Sequence, residues 1–104
     1  MNNIQDLALK NLVAGVSGRY IHGDSISFGL VNIEPGSKFP LHHHPHEQIT
    51  YILNGELEME IGGEKVLLTS GCYYVIPSNT PHSAVCNNGC TAIDIFSPVR
   101  EDYR

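Results

Sequence analysis

Residues 40–55, PLHHHPHEQITYILNG, carry four of the six histidines of the chain and lead directly into an apolar segment. The position in mid-chain argues against an affinity tag, because tags are attached at chain ends. Successive side chains of a strand point to opposite faces, so His42 and His44 should share a face and His43 should point outward. Gln48 would return to the face of His42 and His44 if the strand continued. The stretch therefore predicts a polar cluster at the start of a buried strand.

A period of two dominates the rest of the chain and indicates short β-strands. In residues 55–63, GELEMEIGG, three apolar side chains alternate with three glutamates, as expected for a half-exposed strand. Similar β-rich segments are SISFGLVNI, EQITYIL, KVLLT, CYYVIP, HSAVC and TAIDIF, separated by turn signals at EPG, LNG, IGGE, TSG, PSNTP and CNNG. The pattern predicts an all-β sandwich or small barrel, with a weak helical signal only within residues 4–12.

Length, charge and the absence of long apolar runs argue against several classes of function. The 104 residues suffice for one compact domain, and six basic against eleven acidic residues give a net charge of −5. No cluster of Lys and Arg exists to hold a phosphate backbone, which argues against nucleic-acid binding. No apolar run approaches the length of a membrane span, and the N-terminus lacks a signal-peptide pattern, so we expect a cytoplasmic protein without a membrane partner.

The cysteines and the remaining histidines are weaker signals. An odd number of cysteines without a signal sequence indicates free thiols, although Cys86 and Cys90 in CNNGC could face each other and pair. A third nitrogen donor for the histidine cluster is available in His82, within PSNTPHSAV at the start of a strand. His22 stands alone and is a weaker candidate, and Pro45 should turn His46 toward the rim of the site. The residues alone leave both a solvated polar loop and a metal site open.

The spacing of these residues resembles the two motifs of the cupins. Residues 36–55 read glycine, five residues, H-x-H, three residues, an amide, six residues and glycine. Residues 71–86 read glycine, five residues and proline, with a histidine at position 82. Asn79 and Cys86 stand where the family usually has a glycine and an asparagine. The resemblance implies one cupin domain over residues 1–104, a double-stranded β-helix or jelly-roll barrel.

Three phrases give a narrower resemblance: HPHEQ, YYVIPSNTPH and DIFSPVRED are similar to the small pectin-degradation cupins of the KdgF family. That family is understood to linearise 4,5-unsaturated uronates released from pectin or alginate. The resemblance implies four metal ligands, which are His42, His44, Gln48 and His82. It also implies a D-x-F-x-x-x-R segment at residues 94–100, with Asp94 and Arg100 as catalytic residues and Phe96 and Arg100 as substrate-binding residues.

The implied cofactor is one divalent transition metal ion, such as Ni, Zn, Mn or Fe, since imidazole donors suit all of them. A neutral amide at Gln48 leaves the ion its full charge and favours an anionic sugar substrate. The implied assembly is a homodimer, which the edge strands of a small barrel would also favour.

Each of these roles has an ordinary alternative. Gln48 could weaken the site until it is vestigial, and Phe96 could be part of the core. Asp94 faces the interior only if its neighbours Ile93 and Ile95 pack elsewhere. Arg100 could form an ion pair with a nearby acid such as Asp102. At the level of function, an iron-dependent dioxygenase and a non-catalytic sugar-binding or sensory cupin remain alternatives.

Overall fold

The computed structural model describes residues 2–104, and its regular secondary structure is almost entirely β-strand. The nine strands are β1 (Lys10–Val13), β2 (Val16–His22), β3 (Ser27–Ile33), β4 (Lys38–His42), β5 (Glu47–Ile61), β6 (Glu64–Thr69), β7 (Tyr73–Ile76), β8 (His82–Val85) and β9 (Cys90–Ser97). Short 3₁₀ turns at Ile4–Asp6 and Glu101–Tyr103 are the only helical segments within residues 2–104. The helical expectation for residues 4–12 is therefore wrong beyond one turn, because from Lys10 the chain is extended and pairs with β2.

The strands form two antiparallel layers that share β5 and close into a nearly complete barrel. The first layer has the order β1-β2-β3-β9-β5-β7, and the second has the order β4-β8-β5-β6. Residues 47–55 of β5 pair with β9, whereas residues 56–61 pair with β6 and β8. The all-β prediction of a jelly-roll barrel is confirmed. Within residues 2–104, no helix is long and apolar enough to span a membrane.

Alternation along β5 builds the core. Its inward side chains are buried, and they are Gln48, Thr50, Ile52, Leu57, Met59 and Ile61. Burying a side chain such as that of Ile52 contributes about 1.5–3 kcal/mol relative to leaving it in water. Glu58 and Glu60 point to solvent on the opposite face, as the sequence pattern predicts.

Cross-strand register arranges the inward side chains of the first layer in rows. One row runs from β2 to β5 through Tyr20, Gly29, Asp94 and Thr50. The neighbouring row runs through His22, Ser27, Phe96 and Gln48. Polar side chains from distant parts of the sequence thus meet on one inner surface, which faces the second layer.

The turn before β8 explains one departure from the cupin motif. Asn79 has a φ of 60°, a left-handed conformation in which glycine is the usual residue. Asparagine enters this region more readily than most other residues with a side chain. The turn therefore keeps its shape, and His82 follows it at the beginning of β8.

Candidate metal centre

Three histidines meet where β4 ends and β8 begins. His42 and His82 are cross-strand partners, and their ring centroids are 4.2 Å apart. His44 follows β4, and its ring centroid lies 5.0 Å from that of His82. One ring nitrogen of each histidine lies within 4.8 Å of the others. This three-histidine group is consistent with a single metal ion.

Backbone carbonyl groups hold the three rings in the same tautomer. The Nδ1 atoms of His42, His44 and His82 donate to the carbonyl oxygens of Pro40, His46 and Thr80, at 2.7, 3.0 and 2.8 Å. A neutral imidazole that donates from Nδ1 carries a lone pair on Nε2. The Nε2 atom of His82 is buried and has no hydrogen-bond partner within residues 2–104. This arrangement is typical of histidines that bind metal ions.

The contact between His44 and Gln48 also fits a cation. His44 Nε2 lies 3.0 Å from Gln48 Oε1, which is an acceptor, and Nδ1 already faces a carbonyl oxygen. A neutral ring has one N–H group and cannot donate to both oxygens. Burial, together with the charge of Arg100, lowers the pKa of His44 to about 4, so a second proton is disfavoured at neutral pH. Burial lowers the pKa of His82 as well. The donor set of three imidazoles and an amide oxygen suits a divalent transition metal ion.

Hydrogen bonds fix the direction of the Gln48 side chain. Its Nε2 atom donates to Thr50 Oγ1 at 2.9 Å and to Asp94 Oδ1 at 3.3 Å, and Thr50 Oγ1 donates to the same Asp94 oxygen at 2.7 Å. The carbonyl end of the amide therefore faces the histidines. Burial raises the pKa of Asp94, and the hydrogen bonds from Thr50 and Gln48 offset part of that rise. The predicted metal ligand Gln48 thus donates a hydrogen bond directly to Asp94, the predicted catalytic carboxylate.

Arg100 lies between two aromatic rings. Its guanidinium carbon is 4.7 Å from the centroid of Phe96 and 4.0 Å from that of Tyr103. Its Nε and Nη2 atoms donate to both carboxylate oxygens of Asp102, at 3.0 and 2.8 Å. The hydrogen bond from Arg100 lowers the pKa of Asp102. The ion pair considered as an alternative from the sequence is therefore present, and it holds Arg100 on the wall of the cavity.

A cavity between the two layers joins these groups. Its empty volume is about 640 Å³ with the open mouth included, and the residues predicted for the site that line it are His42, Gln48, His82, Asp94, Phe96 and Arg100. Three further aromatic residues, Tyr20, Phe39 and Tyr103, also line it and were not predicted. The only sequence signal for Tyr20 is its position in the alternating segment GRYIHGD.

The remaining histidines and the thiols lie outside the three-histidine group. His43 is exposed, as predicted. His46 is half-buried beside His44, and its Nε2 atom contacts the Val99 carbonyl oxygen at 3.2 Å. His22 contacts Ser27 Oγ at 2.8 Å and is not part of the group. The three cysteines are free thiols, so Cys86 and Cys90 do not pair.

Comparisons with known proteins agree with the fold. The cupin domain model matches residues 29–96. The chain is 40% identical over 65 residues to the pectin degradation protein KdgF of Dickeya dadantii (strain 3937), which is 62% of this chain and 59% of that protein. It is 46% identical over 63 residues to quercetin 2,3-dioxygenase of Bacillus subtilis (strain 168), which is 59% of this chain but 18% of that protein.

A solved structure extends the likeness to nearly the whole chain. The structure of KdgF from Halomonas sp. is 30% identical, with a TM-score of 0.89 over 96% of this chain and 94% of that one. The matches to the two curated relatives, in contrast, span only 59% and 18% of those proteins' lengths.

Proposed function

The chain belongs to the cupin family, as a small KdgF-like member, and we propose that it is a metal-dependent enzyme that opens the ring of 4,5-unsaturated uronates. The product is the corresponding linear keto acid. The observation that carries the proposal is the Gln48 amide, which links the three-histidine group to the half-buried carboxylate of Asp94. The candidate ion site and the carboxylate that can transfer a proton are thus connected through the single side chain of Gln48.

His42, His44, Gln48 and His82 are the proposed ligands of one divalent transition metal ion, such as Ni, Zn, Mn or Fe. When bound, the ion supplies Lewis acidity to a ring or hydroxyl oxygen of the sugar. The proposed ligands are all neutral, so they leave the positive charge of the site intact for an anionic substrate.

Asp94 is the proposed group for proton transfer. It takes the proton of the hydroxyl on C1, the bond between C1 and the ring oxygen breaks, and C1 becomes an aldehyde. The ring oxygen remains on C5, and return of the proton to C4 converts the enol into a ketone, so no atom or electron is gained or lost. Both hydrogen bonds to Asp94 from described residues reach Oδ1, which leaves Oδ2 available to substrate. Its raised pKa brings the carboxyl closer to the range useful for acid–base catalysis.

Arg100 and Phe96 are the proposed substrate-binding residues. A guanidinium group offers five N–H donors, and Asp102 uses Nε and one donor of Nη2. The others suit the C6 carboxylate of the uronate, because planar guanidinium and carboxylate groups form paired hydrogen bonds. Phe96 can cover an apolar face of the sugar ring. Pectin and alginate are the proposed sources of the substrate, and the name of the Dickeya relative favours pectin.

We further propose a single cupin domain that acts as a homodimer in the cytoplasm. The free thiols of Cys72, Cys86 and Cys90 fit a reducing compartment. The homodimer follows from an apolar outer face of the first layer, where Ile49, Tyr51 and Leu53 are exposed.

An iron-dependent dioxygenase is the second candidate, favoured by the 46% identity to quercetin 2,3-dioxygenase. Three histidines with open coordination positions would also suit iron and oxygen. Oxygen consumption by the iron-loaded protein in the presence of a flavonol separates this candidate from the isomerising enzyme, because ring opening of a uronate consumes no oxygen.

The proposed function is tested with a progress curve. The unsaturated monouronate is generated with a lyase, and the loss of its ultraviolet absorbance is followed with wild type, chelator-treated protein and Asp94→Asn. We expect acceleration over the spontaneous rate, loss of acceleration after chelation and recovery on adding metal. Asp94→Asn should lose roughly 10²–10⁴-fold in kcat, the usual contribution of a general acid–base.

Two results would overturn the proposal. A wild-type protein that holds one metal ion per chain and leaves the spontaneous rate unchanged is not the proposed enzyme. If Asp94→Asn accelerates the reaction as well as wild type, the assigned proton transfer is wrong. Uronate binding without turnover in both proteins identifies a non-catalytic sugar-binding cupin.

A further inference from the structure

Tyr20 is a buried polar residue that the proposed mechanism does not use. Its side chain is on the inner face of β2 and is 7% exposed. Its hydroxyl group has no hydrogen-bond partner among residues 2–104. A buried hydroxyl without a partner is costly, so the group calls for a partner such as an ordered water, an ion or a ligand.

Two glycines make room for the Tyr20 ring. A Cβ atom at Gly18 would lie 2.9 Å from the ring, and one at Gly29 would lie closer still. Gly29 is the cross-strand partner of Tyr20. One edge of the ring faces Gly29 on β3, and the hydroxyl oxygen would lie 3.1 Å from a Cβ atom at Gly18 on β2. A side chain at either position would displace the Tyr20 ring. Glycine at both positions leaves the space that the ring occupies.

The same register brings Tyr20 into the row of Asp94. Gly29 pairs with Tyr20 on one side and with Asp94 on the other, so no side chain stands between the two in this row. Tyr20 also packs against Tyr103, which covers the guanidinium of Arg100. Tyr20 and Asp94 are in the first layer, and His42 and His82 face them from the second.

The environment keeps the hydroxyl group protonated. Burial raises the pKa of Tyr20 far above its usual value, and the nearby charge of Asp94 raises it further. The group can therefore serve as a neutral hydrogen-bond donor at the wall of the cavity. The neighbouring Val16 and Val31 are apolar and offer it no acceptor from their side chains.

We propose that Tyr20 is a substrate-binding residue whose hydroxyl donates a hydrogen bond to an oxygen of the sugar held between Asp94 and the three histidines. The proposal rests on the proposed function, because it assigns a further contact within the same site. It also implies selectivity for hydroxylated, oxygen-rich anions. A ligand without an oxygen at this point would leave the donor unpaired, which strongly disfavours such a ligand.

The test compares Tyr20→Phe with Tyr74→Phe, which removes a hydroxyl group at the other end of the same row and outside the cavity lining. Each metal-loaded protein is assayed for metal content, Tm, KM and kcat with the unsaturated uronate, and Kd for D-galacturonate. We expect Tyr20→Phe to raise Kd and lower kcat/KM by about tenfold, the effect of one lost hydrogen bond. Its metal content should match wild type and its Tm should not fall, because no described group uses the hydroxyl. Tyr74→Phe should match wild type in affinity and rate.

The outcomes separate this proposal from the proposed function. If wild type accelerates the reaction and Tyr20→Phe equals it in Kd and kcat/KM, the role of Tyr20 is overturned while the function stands. If wild type does not accelerate the reaction, the proposed function is wrong. The role of Tyr20 is then tested only by the Kd for D-galacturonate. A tenfold weaker affinity of Tyr20→Phe then supports the contact, whereas equal affinity or no binding by wild type overturns it. A fall in Tm with unchanged affinity identifies a purely structural role.

Discussion

At the scale of single residues, the amide of Gln48 performs two tasks that a carboxylate could not combine. Its Oε1 atom faces His44 Nε2, and its Nε2 atom donates to Asp94 and Thr50. An ionised glutamate is only an acceptor, so it could face the histidines but could not donate to Asp94. The amide thus lets a neutral metal ligand and a carboxylate stand side by side. This explains physically why an amide suits position 48.

Gln48→Glu should retain metal and lose turnover. A carboxylate is a stronger ligand for a divalent ion, but it would lie beside the Asp94 carboxylate, and two such groups cannot both ionise without a large cost. We expect metal content equal to wild type and a kcat lower by about 10²-fold, in line with loss of one general acid–base group. Metal analysis and progress curves of the same samples measure the two effects.

The matched control is Gln5→Glu, which makes the same chemical change at an exposed position outside the cavity lining. It should leave both metal content and kcat unchanged. Wild-type turnover in Gln48→Glu would show that the bond between Gln48 and Asp94 is irrelevant to catalysis. Loss of metal from Gln48→Glu would instead contradict the expectation that a carboxylate at position 48 can replace the amide as a ligand.

At the scale of elements, β5 connects the two layers and so positions the site. Its first half carries Gln48 and Thr50 beside Asp94, and its second half pairs with the strand that begins at His82. The pairing with β9 shifts register between Ile52 and Asn54, just before Gly55. Gly55 has a φ of 86° and lies against the backbone of Gly89 and Cys90. The strand can change layers here because this residue has no side chain.

Gly55→Ala should destabilise the fold far more than Gly63→Ala. Both glycines have left-handed φ values, 86° and 84°, so the conformational cost of about 1–2 kcal/mol is shared. A Cβ at Gly55 would clash with the Gly89 carbonyl oxygen, whereas nothing lies within 4 Å of one at Gly63. We expect Gly55→Ala to lose a further 1–3 kcal/mol, roughly the cost of overpacking. Urea unfolding of both variants measures the difference, and equal losses would contradict the close approach of these backbones.

The behaviour of β5 also shows what the sequence could and could not predict. Alternation correctly predicted the inward faces of Gln48 and Leu57, because side-chain direction depends only on the local period of two. The signal LNG predicted a turn, but Gly55 bends the strand without reversing it. The bond from Gln48 to Asp94 and the position of Tyr20 depend on cross-strand register between distant segments. Alternation within one segment carries no information about that register.

At the scale of the whole molecule, the outer faces of the two layers differ in chemistry. The first layer exposes a continuous apolar face formed by Ile21, Ile49, Tyr51, Leu53, Tyr73 and Val75. Ile93 and Ile95 lie half-buried within it, between Ile49 and Tyr51 on one side and β3 on the other. The second layer exposes Glu58, Glu60 and Lys65 beside isolated apolar residues such as Leu67. Contiguous apolar surface of the first kind is typical of a protein–protein interface.

A homodimer that pairs this apolar face should dissociate when a charge is placed at its centre. Ile49, which is 37% exposed, lies between Ile95 and Val75 in the sheet, so Ile49→Glu buries a carboxylate in the interface of each copy. Twofold symmetry doubles the effect, because every substitution occurs on both sides. We expect wild type to sediment as a dimer and Ile49→Glu to raise the dimer Kd at least 10²-fold.

Leu67→Glu, at a position that is 54% exposed on the second layer, should remain dimeric. Because the three-histidine group and the cavity are formed by residues of one chain, the dissociated variant should retain its metal and its turnover per chain. A monomeric wild type, or dissociation by Leu67→Glu alone, would place the interface elsewhere or remove it.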